Sequence, residues 1–196
     1  MRTTVKIAAT AAAGILAAVG LAGTSSAQST LGQTIAAQAA QAGLSKGDVA
    51  ALQQRMDRQM ALTPGGKQIA VNQVAWRDGK AVMTWPLPGE TRARAVNEPA
   101  AALGSPNCSY LWTCLYEHDQ YNGRRLTWSD CNFEQLSNWG FQDRATSWHN
   151  NQSRGAVTRV YNWVGHWEQL WASTAPSSSS NVGGWANDKA DALQVC

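Results

Sequence analysis

The spacing of apolar residues changes at Pro64. Before it, Val49, Leu52, Met56 and Met60 recur at steps of three and four, which places them on one face of a helix, and residues 28–62 read as helical. Ser45 with Asp48 three positions later has the spacing of a capping box, with Asp in place of the usual Glu. Pro64-Gly65-Gly66 ends that stretch. Beyond it, Ile69 to Trp76 and Lys80 to Trp85 flank Asp78-Gly79, a two-residue hairpin signal. The implied register pairs Trp76 with Ala81, Val74 with Met83 and Asn72 with Trp85, so both tryptophans share a face. A lone two-stranded hairpin is marginal in water. Its aromatic face is therefore expected to cover the Met56 and Met60 side of the helix, giving a small helix-plus-hairpin unit over residues 28–85.

Residues 86–106 are rich in Pro, Gly and Ala and read as a linker, either cleavable or permanent. After them the chain repeats itself. Forty-five positions after Tyr116 comes Tyr161, and forty-five after Gln142-Asp143-Arg144-Ala145 comes Asn187-Asp188-Lys189-Ala190. Such a period marks two copies of a unit too small to bury a core singly. In the first copy Tyr116 to Gly123 reads as a strand and a turn, with Asn122-Gly123 tolerating positive φ. Arg124 to Trp128 is the return strand, Leu126 and Trp128 on one face. The second copy is less regular: His166 falls where Tyr121 should be echoed.

Composition adds the compartment. Residues 1–27 read as a signal peptide: Arg2 and Lys6 precede an Ala/Gly-rich apolar run, and Ser25-Ser26-Ala27 supplies the small residues of a cleavage site. A secreted protein with no retained membrane segment is expected. The full chain has 16 basic and 13 acidic residues; without Arg2 and Lys6 the net charge falls to about +1, with no clustered basic face for nucleic acid. All four cysteines, Cys108, Cys114, Cys131 and Cys196, lie beyond the linker. Two disulfides follow, in one of three connectivities. The favoured pairing is Cys108 with Cys131 and Cys114 with Cys196, which ties the terminus to the first strand and leaves no short loop bracketed by cysteines. A zinc site is disfavoured because no CxxC pair is present.

Tyr116, Tyr121 and Gly123, followed by Asp143-Arg144-Ala145-Thr146-Ser147, resemble the Greek-key signature of the βγ-crystallin fold. Cys108-Ser109-Tyr110-Leu111-Trp112-Thr113-Cys114-Leu115-Tyr116 resembles the start of the secreted bacterial metalloproteinase-inhibitor family, which uses that fold. The resemblance implies a mainly β protein with a two-Greek-key sandwich over residues 107–196. It further implies a monomer that blocks an extracellular protease non-covalently by inserting a loop, without a cofactor. The Ser/Gly-rich segment 173–184 is the candidate loop, with Ser173, Pro176, Ser180, Asn181 and Val182 as contact residues. In calcium-binding relatives of this fold, paired Asn/Asp residues and following hydroxyls hold the ion; the corresponding residues here are Asp143, Thr146, Ser147 and Asp188. Gln142, Lys189, Asp191 and Ala192 depart from that pattern, so calcium binding is expected to be weak or absent.

Catalysis finds little in the sequence. GxSxG, HExxH and GxGxxG are all missing, and Glu117-His118-Asp119 would alternate between faces of a strand. Two other function classes stay open: a killer-toxin-like antimicrobial protein, and a structural or carbohydrate-binding module of the cell surface. Eight of the ten tryptophans lie beyond the linker, a density that suits either a compact core or a sugar-stacking platform. Trp163, Trp167 and Trp171 recur at steps of four, and any of them left exposed would be an interaction anchor.

Overall fold

The computed structural model describes residues 22–100, 102 and 104–196. Residues 1–21, most of the expected signal peptide, lie outside them. Two helices, α1 (Ala22–Gln41) and α2 (Lys46–Leu62), precede eleven strands: β1 (Lys67–Ala70), β2 (Gln73–Trp76), β3 (Ala81–Thr84), β4 (Trp112–Tyr116), β5 (Arg125–Trp128), β6 (Phe133–Gln135), β7 (Ser147–Asn151), β8 (Val157–Trp163), β9 (Trp167–Thr174), β10 (Ser177–Ser179) and β11 (Ala192–Gln194). The single helical stretch expected from the sequence is thus two. Gly43, at φ +65°, ends α1 in the left-handed conformation that glycine adopts without a Cβ penalty, and Leu44 N–H folds back to Ala39 O at 2.9 Å. The capping box then starts α2: Asp48 N–H donates to Ser45 Oγ at 3.1 Å and Ser45 N–H to Asp48 Oδ2 at 3.0 Å.

The inward face of α2 follows the predicted stripe. Leu52 and Met56 are fully buried, with Val49 and Met60 packed at the margin of the same core as Trp76 and Trp85. Strands β2 and β3 pair in the expected register, Val74 with Met83 and Trp76 with Ala81, and Trp85 N–H reaches Asn72 O at 3.0 Å. The turn differs. It spans Arg77 to Lys80, with positive φ at Arg77, Asp78 and Gly79, so it is a four-residue loop and not the two-residue hairpin expected.

The hairpin does not stand alone either. One sheet runs β1-β2-β3-β5-β4-β7-β10 and the other β6-β11-β8-β9. Within the repeat region, β4, β5 and β7 of the first copy share a sheet with β10 of the second. Reciprocally, β8, β9 and β11 take β6 from the first copy. This exchange of one strand per Greek key is the βγ-crystallin-like arrangement, and it makes each copy depend on the other for a complete sheet. The 45-residue period has direct counterparts: Asp143 and Asp188 sit at φ 54° and 53°, Ala145 and Ala190 are both fully buried, and Thr158 Oγ1 donates to Thr113 Oγ1 at 3.2 Å.

The segment read as a linker is packed along the first Greek key. Leu87 and Ala93 are buried. Gly123 N–H donates to Thr91 O at 2.7 Å, and Ala93 N–H returns to Gly123 O at 3.2 Å. Arg92 donates to the carbonyls of Ala102, Ser105 and Gln120 at 3.0, 2.8 and 2.7 Å. A Pro/Ala-rich composition signals missing regular structure, and here the backbone groups find partners in the neighbouring hairpin instead.

Candidate functional site

The cysteines pair as Cys108 with Cys114 and Cys131 with Cys196, which corrects the favoured connectivity. Strand exchange is the reason. Because β6 leaves its own copy to pair with β11, residues just before β6 come to lie beside the C-terminus, and Val195 N–H donates to Asn132 O at 3.0 Å. Cys131 is thereby brought to Cys196, and Cys108 is left with its neighbour six positions on.

The Cys108–Cys114 bridge closes a short loop at the entrance to β4. Within it, Trp112 N–H donates to Ser109 O at 3.2 Å and Leu111 N–H to Asn151 O at 2.8 Å. Asn151 Nδ2 donates to Cys108 O at 2.9 Å, fixing the loop base to β7. Cys108 and Cys114 themselves are buried, whereas Tyr110 is 67% and Leu111 51% exposed. Leu111 holds φ at 72°, a left-handed conformation that is unusual for a non-glycine residue and requires surrounding structure to impose it. The result is a projecting two-residue apolar tip on a base anchored by one covalent bridge and several hydrogen bonds.

The segment expected to project, 173–184, is mostly integrated. Ser173 is buried in β9, and its carbonyl accepts from Asn150 Nδ2 at 2.8 Å. Strand β10 pairs with β7 from Ser177 to Ser179, and Val182 packs against the core. Pro176 and Asn181 are exposed and Ser180 is half-buried. A run of serines resembles a loop in composition, yet an edge strand accepts such residues when β-pairing supplies the order. Ser173 is therefore no contact residue.

The hydroxyls considered for calcium are engaged with the first hairpin. Ser147 Oγ donates to His118 O at 2.6 Å and accepts from Tyr121 N–H at 3.2 Å, and Thr146 Oγ1 donates to Glu117 O at 3.1 Å. Thr146 and Asp188 line one shallow depression with His118, Asp119 and Asn187, whereas Asp143 lies outside it and Ser147 is buried. Burial, reinforced by the negative charges of Asp191 and Asp188, pushes the Asp143 carboxyl above its usual pKa. Among the described residues, no group of three or more His, Cys, Asp and Glu is placed to hold a metal ion. In the Glu117-His118-Asp119 run, burial alone would raise Glu117. The hydrogen bond and charge of Arg124 more than offset it and hold the carboxylate below its usual range, with Arg124 at 2.9 Å and Arg144 at 3.3 Å. Glu117 is thus an ion-pair partner that braces the hairpin.

The tip is carried on a segment that comparison connects to inhibitors. Residues 101–170 match the model of peptidase inhibitor family I36. The matched region starts just before the Cys108–Cys114 loop, includes the whole first Greek key and ends in β9. A nickel complex of a clostrillin double mutant shows 25% identity over 43% of this chain and 95% of its own, with a TM-score of 0.36. A βγ-crystallin domain from Clostridium beijerinckii shows 25% identity over 42% of this chain and 94% of its own, with a TM-score of 0.35. No curated protein matches the chain. Within the matched region, Tyr110 and Leu111 are exposed apolar residues that sequence reasoning did not single out. The available signal was the six-residue spacing of Cys108 and Cys114, which suits a local bridge around an aromatic-aliphatic pair.

Proposed function

We propose that the protein is a secreted inhibitor that blocks an extracellular metalloprotease non-covalently by presenting the Cys108–Cys114 loop to the enzyme's cleft. The observation that carries this reading is the exposed Tyr110-Leu111 tip, held at its base by the disulfide and by Asn151. An inhibitor of this kind needs apolar side chains that fill specificity pockets and a backbone ordered before binding, because prior order lowers the entropic cost of association. The peptidase-inhibitor match over the same residues supports the class, and the two disulfides suit an oxidising compartment.

Titration of the purified mature protein against a thermolysin-type metalloprotease tests it. Residual activity falls linearly to zero at a fixed stoichiometry. Tyr110→Ala and Leu111→Ala each raise the inhibition constant by about thirtyfold, the loss of one anchor of roughly 2 kcal/mol. Full protease activity at excess intact protein, or unchanged inhibition by the double variant, would overturn the proposal.

A further inference from the structure

The second sheet carries a strip of aromatic rings that the inhibitory reading does not use. Phe133 on β6, Tyr161 and Trp163 on β8 and Trp167 on β9 touch in series: Tyr161 to Phe133 at 6.0 Å, Phe133 to Trp167 at 5.3 Å and Trp167 to Trp163 at 4.8 Å between ring centres. The last pair faces across the β8–β9 hairpin, Trp163 opposite Trp167. Phe133, Trp163 and Trp167 remain 43%, 54% and 38% exposed. A cross-strand tryptophan pair stabilises a hairpin by itself, but it does not explain why a third ring extends the strip across another strand. Contiguous exposed aromatics of this kind mark a binding surface.

Beside the two tryptophans lies a cleft of about 370 Å³ lined by Gln135, Ser137, Gln142, Trp163, Trp167 and Asp191. Its polar lining consists of two amides, a hydroxyl and a carboxylate, and it contains no Lys or Arg. Asp191 is held rigidly: its N–H donates to Tyr161 O at 2.8 Å, its O accepts from Leu136 N–H at 2.7 Å, and its Oδ2 accepts from Trp163 N–H at 2.7 Å. Among the described residues the other carboxylate oxygen, Oδ1, finds no partner, and it is itself buried in a residue only 8% exposed. A buried acceptor left unsatisfied is costly, and a small shift of the Asp191 side chain toward the cleft would let a ligand hydroxyl satisfy it.

We propose that this cleft and its aromatic strip bind a neutral β-1,4-linked pyranose chain. The axial C–H face of each pyranose is apolar and stacks on an indole. Its equatorial hydroxyls project sideways, where a paired acceptor and donor such as the Gln135 and Gln142 amides can meet them, and Asp191 Oδ1 accepts a hydrogen bond from one hydroxyl. The charge pattern decides against an acidic polysaccharide, since the single ionised group in the lining is negative. The rings are inclined to one another by 43–69°, so each exposed ring offers its face to a different sugar of an extended, equatorially linked chain. The protein would then be retained on a wall or matrix polymer while the Tyr110-Leu111 loop, elsewhere on the fold, stays free.

The test uses the full mature chain. Retention is measured on microcrystalline cellulose and on chitin, and tryptophan fluorescence is followed during titration with cellohexaose and with chitohexaose, with heparin as the anionic control. Binding to at least one neutral polymer and to its hexasaccharide is expected, and which one responds assigns the sugar. Trp163→Ala and Trp167→Ala each weaken it by about tenfold or more. Asp191→Asn, which preserves the shape and can still accept from Trp163 N–H, weakens it several-fold. Trp163→Phe, which retains a ring, recovers most of the affinity and shows that stacking is responsible rather than folding. Trp163→Ala leaves protease inhibition unchanged, so failure here is separable from failure of the inhibitor reading. Absence of binding to both polymers and both hexasaccharides, binding insensitive to both tryptophan variants, or tighter binding to heparin would each overturn the proposal.

Discussion

Removing the two disulfides one at a time should separate stability from inhibition. The Cys108–Cys114 bridge spans 6 positions and the Cys131–Cys196 bridge 65. If a bridge acts by restricting the unfolded chain, its stabilisation grows with the logarithm of the loop it closes, giving about 2 kcal/mol for the first and about 4 kcal/mol for the second at room temperature. For a chain of this size the corresponding drops in Tm are about 4–8 °C for Cys108→Ala/Cys114→Ala and about 8–16 °C for Cys131→Ala/Cys196→Ala. Inhibition should follow the opposite order. Opening the short loop frees Tyr110 and Leu111, so binding must then order two side chains at a cost of about 0.5–1.5 kcal/mol each, which raises the inhibition constant by roughly fivefold to 150-fold. Opening the long loop leaves that tip unchanged, and inhibition measured well below its Tm is retained. Calorimetry and a protease titration on the two double variants supply the four numbers. Equal losses of Tm, or a larger inhibitory loss in Cys131→Ala/Cys196→Ala, would refute this assignment of roles, as would a peptide map showing Cys108 joined to Cys131.

Gly123→Ala should cost at least about 1–2 kcal/mol of stability, measured by urea denaturation: Gly123 sits at φ +75°, and an added Cβ would lie 2.8 Å from Glu117 Cβ and His118 Cδ2. Met83→Ala, at a fully buried position paired with Leu126 across β3 and β5, should cost about 2–5 kcal/mol and lower the unfolding midpoint of the whole chain in one transition, since that strand pair joins the N-terminal unit to the first Greek key; two separated transitions would contradict this. His149 lies half-buried on β7, its Nδ1 without a partner among the described residues, and burial lowers its pKa to about 4. Its folded pKa is below the unfolded value of about 6.5, so the unfolded chain binds the extra proton and stability falls as pH drops from about 6.5 to about 4. The difference in Tm between wild type and His149→Gln should change across that window and stay constant above it.

Local chemistry was legible in the sequence. The capping pair Ser45 and Asp48, the stripe through Leu52 and Met56 and the register of Trp76 against Ala81 each depend on neighbours a few positions away, and the structure contains all of them; the turn read at Asn122-Gly123 instead lies at Asp119 to Tyr121, with positive φ at Gln120 and Tyr121 and Asn122 at φ −87°. The 45-residue repeat was equally readable, because two copies of one fold keep the same special backbone positions, as Asp143 and Asp188 do. What the sequence could not decide was anything set by which strand lies beside which. The exchange of β6 and β10 between sheets brought Cys131 to Cys196, and so left Cys108 to close the loop under Tyr110 and Leu111. Pairing along β5 turned an apparently separate hairpin into the continuation of a seven-stranded sheet, and pairing with β7 turned a serine-rich loop into a strand. In each case the deciding energy is backbone hydrogen bonding and burial between segments distant in the chain. Composition and spacing record what a segment tolerates, whereas the tertiary structure alone determines which partner it meets.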